Sequence, residues 1–404
     1  MRQTLVHRKF FLASGAAAAA ALATRTGTLA GTATVDLPFE NGTRRLAAYP
    51  QKRPLIVLTS RPVQLETPFS VFDDGPYTPA DAFFVRWHLA DVPTTVDPSA
   101  FRVAVRGLVD TPLSLSLDDI RRLPPVEIAA VCECSGNSRG FVTPRVPGGQ
   151  WANGAMGNAL WKGARLRDVL AKAGVKAGAV AVRFNGAETP VLAQTPDFVK
   201  ALDIDHALHE DTIVAYEMNG DPLPVLNGFP LRLVVPGWFA TYWVKMLTDI
   251  EVIDHVDDGY WMKTAYRIPA TPTGGVAPGS TGFATVPINK LTIRSFITNL
   301  SDGRRVAAAK PTPVRGIAFD SGNGIRSVEF STDGGASWRP AGLGADLGKY
   351  GFRQWSASFT PVAGTSYQLS CRATSNAGET QSQTAVWNPG GYLRNVPEIV
   401  TVTA

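Results

Sequence analysis

The chain of 404 residues is 45% hydrophobic and 18% charged, a composition typical of folded domains and unlike that of disordered proteins. Because a single hydrophobic core stops growing at roughly 300 residues, we expect two or three domains. The formal net charge of +5 includes Arg2, Arg8, Lys9 and Arg25 near the N-terminus, and without these four residues it falls to +1. That balance excludes the strongly basic character of most nucleic-acid-binding domains.

Residues 1–33 have the pattern of an export signal. Arg8 and Lys9 precede an apolar, alanine-rich run at residues 12–23, and small residues follow it. The run is too short to span a bilayer and no later stretch is long enough, so we expect no membrane span. Residues 7–12 resemble a twin-arginine signal with lysine as its second basic residue, which predicts a periplasmic protein. A disordered alanine-rich tail or a short anchor helix is the alternative.

The N-terminal half of the remaining chain is predicted to combine an arm with a mixed domain. Residues 34–77 are polar and interrupted by proline, and we predict an extended N-terminal arm there. Over residues 78–285, short strands alternate with short, scattered helices. Because these helices do not recur as regular crossovers, the pattern predicts an α+β domain and argues against a Rossmann or TIM fold.

Two local signals in this domain are specific. A strand at residues 83–89 would place Phe84, Arg86 and His88 on one face, because side chains alternate along a strand. Helices are predicted after Ser116, which is a favourable N-cap, and before a glycine at position 174.

The pattern changes in the C-terminal region, residues 286–404. Several short runs there alternate apolar and polar residues, and turns at residues 321–324 and 333–335 separate some of them. This spacing predicts an antiparallel β-sandwich of immunoglobulin-like architecture. Cys371 lies in one of these runs and is most simply a small buried apolar side chain.

Cys134 follows an apolar run at residues 126–131 and precedes small, turn-forming residues. The residue types leave four roles open for its thiol: a packing residue, a nucleophile with His88 as base, a zinc ligand, or a single thiolate on a metal completed by a cofactor. No Cys-His signature supports the nucleophile, and Cys132 has the wrong spacing for zinc. Three cysteines are also too few for a disulfide framework.

The motif C-S-G-N-S-R at residues 134–139 resembles C-A-G-N-x-R of the sulfite oxidase family of molybdopterin enzymes. Four further blocks resemble that family in the same order: F-V-R-W-H at 84–88, W-K-G-A-R-L at 161–166, A-Y-E-M-N-G at 215–220 and G-F-P-L-R-L-V-V-P-G at 228–237. The resemblance covers residues 70–400. It implies a molybdopterin-binding catalytic domain at 78–285 and a dimerisation-type sandwich at 286–404.

The resemblance implies that Cys134 is the one protein thiolate on molybdenum and that Arg232 binds the pterin phosphate. Asn227 stands where many members have histidine, Trp243 departs from the family's H-V-K segment, and Glu188 falls where relatives have aspartate. The full implied cofactor-binding set is Phe84, Arg86, His88, Cys134, Glu188, Asn227, Arg232, Trp243 and Lys245.

For the substrate, the resemblance implies a pocket for sulfite and its product sulfate, small anions with several acceptor oxygens. Guanidinium groups suit such anions because they carry fixed charge and forked donors. The implied catalytic residues are Arg86, His88, Arg139, Arg353, Tyr266 and Trp151. Together they imply oxidation of sulfite to sulfate at a molybdenum centre.

The implied electron acceptor is a separate protein. The chain has five histidines and no C-x-x-C-H motif, so we expect no haem on it. Within the family, the chain resembles the catalytic subunits of bacterial sulfite:cytochrome c dehydrogenases, which implies a c-type cytochrome as subunit or acceptor. A heterodimer with that cytochrome and a homodimer through the sandwich both remain open. Alternative functions are a sulfane dehydrogenase subunit of a thiosulfate-oxidising complex, a sulfoxide reductase, and a cofactor-less binding protein.

Overall fold

A computed structural model describes residues 34–36, 43–47 and 49–404 of the chain. The export signal predicted at residues 1–33 lies outside the described residues. Within the described ranges, no helix has both the length and the apolar character that crossing a bilayer requires. Most of the regular structure consists of short strands.

Both α-helices that the sequence predicts are present. At the first, the Ser116 hydroxyl accepts a hydrogen bond from the Asp119 N–H, and the Asp119 carboxylate accepts one from the Ser116 N–H. Such caps stabilise a helix by about 1 kcal/mol. The second ends at Gly174, whose φ of 72° favours glycine. The α-helices are α1 (Leu117–Arg121), α2 (Leu166–Ala173), α3 (Ile204–Ala207) and α4 (Tyr260–Lys263), and 3-10 turns lie at Phe69–Asp73, Arg139–Phe141, Val225–Asn227 and Ala240–Tyr242.

The prediction of an extended arm at residues 34–77 is wrong. Much of the described part of this segment forms an antiparallel sheet with β1 (Thr34–Asp36), β2 (Thr43–Ala47), β3 (Leu55–Ser60), β4 (Val63–Glu66) and β5 (Val85–Arg86). β3 and β4 form because Leu55 and Leu65 bury apolar side chains between the polar stretches. β5 is the regular part of the strand predicted at 83–89, and its Arg86 pairs with Gln64 of β4. The supposed arm therefore supports a predicted site residue.

The mixed domain contains two larger sheets and a ribbon. Its strands are β6 (Arg102–Gly107), β7 (Leu113–Ser116), β8 (Pro125–Glu133), β9 (Met156–Arg165), β10 (Ala181–Gly186), β11 (Val199–Asp203), β12 (Ile213–Met218), β13 (Asp221–Pro222), β14 (Arg232–Val234), β15 (Leu247–Ile253), β16 (Arg267–Pro269) and β17 (Thr285–Pro287). One sheet has the order β11–β10–β15–β6–β7, with β15 and β6 parallel. The other has the order β13–β12–β9–β8, with β14 also paired to β12. β16 and β17 pair with each other.

The C-terminal region is the predicted immunoglobulin-like sandwich. Its strands are β18 (Arg294–Ile297), β19 (Arg304–Arg305), β20 (Thr312–Phe319), β21 (Ile325–Ser331), β22 (Arg339–Pro340), β23 (Gly342–Leu343), β24 (Arg353–Phe359), β25 (Ser366–Ser375) and β26 (Val400–Thr403). One sheet has the order β18–β20–β24–β23 and the other β19–β26–β25–β21–β22, in which β19 and β26 are parallel. Phe330, Trp355 and Cys371 lie in the core between the sheets, as predicted for Cys371.

The two domains share a hydrophobic cluster. Phe296 of the sandwich packs against Phe69, with ring centroids 5.4 Å apart, and Phe352 packs against Phe72 at 6.0 Å. Val131 of β8 belongs to the same cluster. The strand that leads to Cys134 is therefore packed from one side by the second domain.

Replacing Phe330 by alanine tests the sandwich core. Its buried ring lies 6.4 Å from Trp355 and 6.2 Å from Phe359, between centroids. We expect Phe330→Ala to lower the free energy of unfolding by about 3–5 kcal/mol, because the cavity cannot be refilled. The exposed Val362 provides a control, because Val362→Ala should change the free energy of unfolding by less than about 0.5 kcal/mol. Denaturant unfolding checks both, and equal effects would contradict the assigned core.

Candidate active site

Cys134 follows β8 directly and begins a tight turn. Its N–H donates to the Ala155 carbonyl, 2.9 Å away, and its own carbonyl accepts from the Asn137 N–H, also at 2.9 Å. The Asn137 side chain closes the turn, because its amide nitrogen donates to Glu133 and its oxygen accepts from Ala155 N–H. The turn therefore presents the Cys134 thiol at the end of a buried strand.

Cys134 is one of the residues that line a pocket. Eight of the predicted residues line it: Phe84, Arg86, His88, Cys134, Asn227, Arg232, Lys245 and Tyr266. Five lining residues were not predicted: Val85, Ser135, Leu226, Ala240 and Thr241. Phe84, Arg86 and His88 share the pocket as the alternation in residues 84–88 predicts. Segments far apart in the sequence thus meet around one thiol.

Three cations line this pocket. The Arg232 guanidinium lies between the rings of Trp161 and Trp243, at 5.4 Å and 5.7 Å from their centroids. Lys245 donates to the Arg86 carbonyl at 2.8 Å. Burial lowers the pKa of Arg232, and it lowers the pKa of Lys245 to about 8. The pocket therefore concentrates positive charge that an anion would stabilise.

His88 is held by contacts on several sides. Its Nε2 lies 2.6 Å from the Tyr266 hydroxyl, and its ring stacks on Phe198 with centroids 3.4 Å apart. The Glu188 carboxylate accepts from the backbone N–H groups of His88 and Leu89. Burial, followed by Arg86, Lys245 and Lys200, lowers the pKa of His88 well below its usual value. The imidazole is therefore neutral at pH 7, and its hydrogen bond to Tyr266 fixes the orientation of both rings.

The donors of the pocket test whether a molybdopterin cofactor fits. Five buried polar atoms of lining residues have no hydrogen-bond partner within the described part of the chain: Arg86 Nη1, His88 Nδ1, Ser135 Oγ, Arg232 Nε and Thr241 Oγ1. Buried polar atoms are rarely left without partners, so these five indicate a polar ligand. Across the described ranges, no three His, Cys, Asp or Glu side chains converge to hold a metal alone. One soft thiolate beside donors for an anionic cofactor fits a metal whose other ligands come from that cofactor.

Four predicted residues lie behind or beside the pocket lining. Glu188 supports His88, as described above, and Trp243 packs on Arg232 and donates from Nε1 to the Trp238 carbonyl at 3.0 Å. Trp151 is buried, and its carbonyl accepts from Gly140 N–H in the loop after Cys134. The Arg139 guanidinium donates to the Gly149 and Gly390 carbonyls and lies 5.2 Å from the Tyr392 ring centroid. Glu188, Trp243 and Trp151 therefore support the site from a second layer of contacts. Arg139 lies beside the pocket and is connected to Tyr266 through the Tyr392 ring.

Arg353 is not brought to the pocket. It begins β24, opposite Ala318 of β20, and its guanidinium forms an ion pair with Asp346 at 3.1 Å. Its Nε and Nη1 are nevertheless buried without a hydrogen-bond partner. The predicted role of Arg353 in substrate binding therefore stays a prediction that this geometry does not favour.

Two residues contribute to the site without any sequence signal that singles them out. Lys52 is buried beneath the pocket, where its Nζ donates to Asn227 Oδ1 and to the Phe83 carbonyl. Tyr392 stacks on Tyr266, with ring centroids 6.0 Å apart. In the sequence, a lysine in a polar segment and a tyrosine near the C-terminus look like ordinary surface residues, because nothing in their neighbourhood indicates that they lie near the pocket.

Comparisons with known proteins decide the family. The description "Oxidoreductase molybdopterin binding domain" matches residues 88–261, and "Mo-co oxidoreductase dimerisation domain" matches residues 285–403. The chain is similar to sulfite oxidase of Gallus gallus, with 33% identity over 371 residues that cover 86% of this chain and 78% of the relative. The chain belongs to the sulfite oxidase family. It is a molybdopterin oxidoreductase of that family, as its motifs predict.

Other family members match over much of the chain. Mitochondrial sulfite oxidase of Homo sapiens is 33% identical over 370 residues, which cover 86% of this chain and 65% of the human protein. The chain therefore spans about two thirds of that relative's length. In fold, the chain is similar to the sulfane dehydrogenase SoxCD from Paracoccus pantotrophus, with a TM-score of 0.73, 24% identity and 85% of each chain covered.

Lys200 provides a test of the charge that is buried behind the site. Its Nζ donates to the Trp261 carbonyl at 2.8 Å, and burial lowers its pKa to about 7. Between pH 7 and 9 the unfolded chain thus binds a proton that the folded chain lacks, so stability should rise with pH. One such group contributes up to about 1.4 kcal/mol per pH unit. We expect a smaller rise in Lys200→Met, measured by urea unfolding of cofactor-free protein.

The exposed Lys310 provides the matched control for this measurement. Lys310→Met should follow the unchanged protein across the same pH range, because an exposed ammonium group is solvated in both states. Identical pH profiles for Lys200→Met and the unchanged protein would contradict a buried, destabilised charge at Lys200.

Proposed function

We propose that the protein is a periplasmic sulfite dehydrogenase that oxidises sulfite to sulfate at a molybdenum-molybdopterin centre ligated by Cys134. The observation that supports the proposal is the position of Cys134 in the lining of a pocket with Arg86, Arg232 and Lys245, where five buried polar atoms have no hydrogen-bond partner among the described residues. A thiolate ligand and a cationic, donor-rich pocket together suit a metal bound by an anionic cofactor.

Different residues of the pocket would bind different parts of the cofactor. Arg232 and Lys245 would hold the phosphate, because both are buried cations and the Nε of Arg232 is an unused donor. Ser135 and Thr241 would donate to polar edges of the cofactor through hydroxyl groups without partners. Cys134 would supply the single protein ligand to the metal.

The substrate side of the site lies between Arg139 and Tyr266, which are linked through Tyr392. When bound, the molybdenum cofactor supplies two-electron oxygen-atom transfer, by which sulfite and water give sulfate, two electrons and two protons. Arg86 and Arg139 would neutralise and orient the anion. The Tyr266 hydroxyl lies 2.6 Å from His88 Nε2, which fixes its position. It would donate its one proton either to a substrate oxygen or to the imidazole.

The proposal also covers the electron acceptor, the cellular compartment and the oligomeric state of the protein. An export signal at residues 1–33 would deliver the folded protein to the periplasm, where a c-type cytochrome would take the electrons one at a time. The match of residues 285–403 to a dimerisation domain supports a homodimer through the sandwich. A heterodimer with the cytochrome is the other arrangement, and both would form without a haem on this chain.

Sulfane oxidation is the second candidate function. Its support is the similarity in fold to the sulfane dehydrogenase SoxCD. Purified protein assayed with sulfite and with a protein-bound sulfane, each with cytochrome c as acceptor, separates the two candidates. Turnover of the sulfane alone would replace the sulfite proposal. A cofactor-less binding protein is disfavoured because its pocket would bury five donors or acceptors without partners among the described residues.

Replacing each of the two neighbouring cysteines by serine tests the ligand. We expect Cys134→Ser to lose sulfite-dependent reduction of ferricyanide and most of its molybdenum, because a hydroxyl is a poor ligand for a soft metal. Cys132→Ser should retain both, since burial raises the pKa of the Cys132 thiol to about 11 and its Sγ accepts from Arg232. Metal analysis and the ferricyanide assay measure the two properties. Full activity in Cys134→Ser would show that the ligand is misassigned.

Replacing Arg139 by methionine tests the substrate pocket. We expect kcat/KM for sulfite to fall about 10-fold to 100-fold, mainly through a higher KM, because a charged hydrogen bond contributes roughly 1.5–3 kcal/mol. The molybdenum content should not change, since Arg139 does not line the pocket that contains Cys134. Exposed Arg102 provides the control, and Arg102→Met should leave both constants unchanged. An unchanged KM in Arg139→Met would place the anion elsewhere.

A further inference from the structure

Arg294 begins β18, in the second domain, yet its side chain reaches into the first domain. It is one of the largest fully buried side chains of the described residues, with 2% of its surface exposed. Its Nη1 donates to Glu133 Oε1 at 2.7 Å, and its Nη2 donates to Ser138 Oγ at 2.8 Å. One guanidinium group therefore contacts two residues of the loop that carries Cys134.

These two residues flank the metal-binding thiol. Glu133 immediately precedes Cys134, and Ser138 lies four residues after it. The same Glu133 oxygen accepts from the Asn137 amide, which closes the turn from within. Arg294 thus joins both ends of the turn and leaves the Cys134 side chain free to face the pocket.

Packing alone does not account for this arrangement. The side chains of Glu133 and Arg294 are each 2% exposed, and burying an ion pair so deeply usually stabilises a protein less than apolar residues of similar volume. Ser138 has a φ of 67°, in the left-handed region that a serine seldom adopts. Such a conformation persists when neighbouring groups fix it, and Ser138 is held by Arg294 and by Asn153.

We propose that Arg294 is a positioning residue that sets the direction of the Cys134 thiol, so that the metal site is complete only when the second domain is docked. The proposal rests on the proposed function for the identity of the metal. The geometry of the loop does not depend on that identity. Outer contacts of this kind typically change metal affinity or activity by about 10-fold to 100-fold when they are removed.

A second ion pair across the domain boundary provides the matched control. Arg315 of β20 pairs with Asp73, but this pair is half-exposed and has no contact with the Cys134 loop. Arg315→Met, like Arg294→Met, removes an arginine of the second domain that forms an ion pair across the domain boundary. A merely structural role for Arg294 would make Arg294→Met and Arg315→Met behave alike.

The experiment compares Arg294→Met, Arg294→Lys, Glu133→Gln and Arg315→Met. X-ray absorption counts the sulfur ligands of molybdenum in the loaded protein, and the Mo(V) paramagnetic resonance spectrum reports their geometry. In cofactor-free protein, alkylation by iodoacetamide, located by fragment mass spectrometry, reports the exposure of Cys134. Cys132 and Cys371 in the same sample are internal references because both are buried.

For Arg294→Met we expect one fewer sulfur ligand or an altered spectrum, and alkylation of Cys134 faster by about 10-fold to 100-fold. Arg294→Lys keeps the positive charge but lacks the two forked donors of the guanidinium group. Its spectrum and alkylation rate should therefore fall between those of Arg294→Met and the unchanged protein. Arg315→Met should keep the unchanged spectrum and alkylation rate.

An unchanged spectrum and alkylation rate in Arg294→Met would overturn the proposal, whatever happens to its stability. If Arg294→Met does not fold, Glu133→Gln decides, because it keeps the size and one acceptor oxygen of the side chain but removes the charge. An unchanged spectrum and alkylation rate in Glu133→Gln would then overturn the proposal. If the unchanged protein holds no molybdenum, the proposed function fails, while the alkylation rates still decide the role of Arg294.

Discussion

An excess of cationic side chains over carboxylates around one pocket is the constraint on which the site depends. Arg86, Arg232 and Lys245 line one small pocket, and the nearest buried carboxylate, Glu188, accepts hydrogen bonds from backbone N–H groups. The fold satisfies these cations with weaker partners, which are carbonyl oxygens and the faces of Trp161, Trp243 and Trp87. Desolvated cations with such partners retain a strong affinity for an anion. The electrostatics of the pocket thus favour an anionic ligand.

The second domain does more than offer a surface for association. Its Phe296 and Phe352 pack on the first domain, and its Arg294 holds the turn of Cys134. Tyr392, from the chain beyond β25, stacks on Tyr266 beside Arg139. Both domains therefore contribute to the surroundings of the pocket, although Cys134 lies in a single sequence motif.

The sequence predicted the features that local patterns determine. The cap at Ser116, the helix end at Gly174 and the meeting of Phe84, Arg86 and His88 depend on residue type and periodicity, and all are present. Thr241 and Ser135 could not be recognised, because a hydroxyl becomes significant only when folding leaves it buried without a partner. The arm was misread because its prolines obscured short apolar strands. Arg353 was placed by resemblance alone, and its local pairing with Asp346 is invisible in the sequence.

The bond from Lys52 to Asn227 has a consequence for biosynthesis. Lys52 comes from the beginning of the described body and Tyr392 from within thirteen residues of its end, yet both complete the surroundings of one pocket. Contacts so distant in sequence form late, since a long segment must be ordered before they stabilise anything. A chain still leaving the ribosome would lack a closed pocket. The complete surroundings of the pocket therefore form only after Tyr392 has been synthesised.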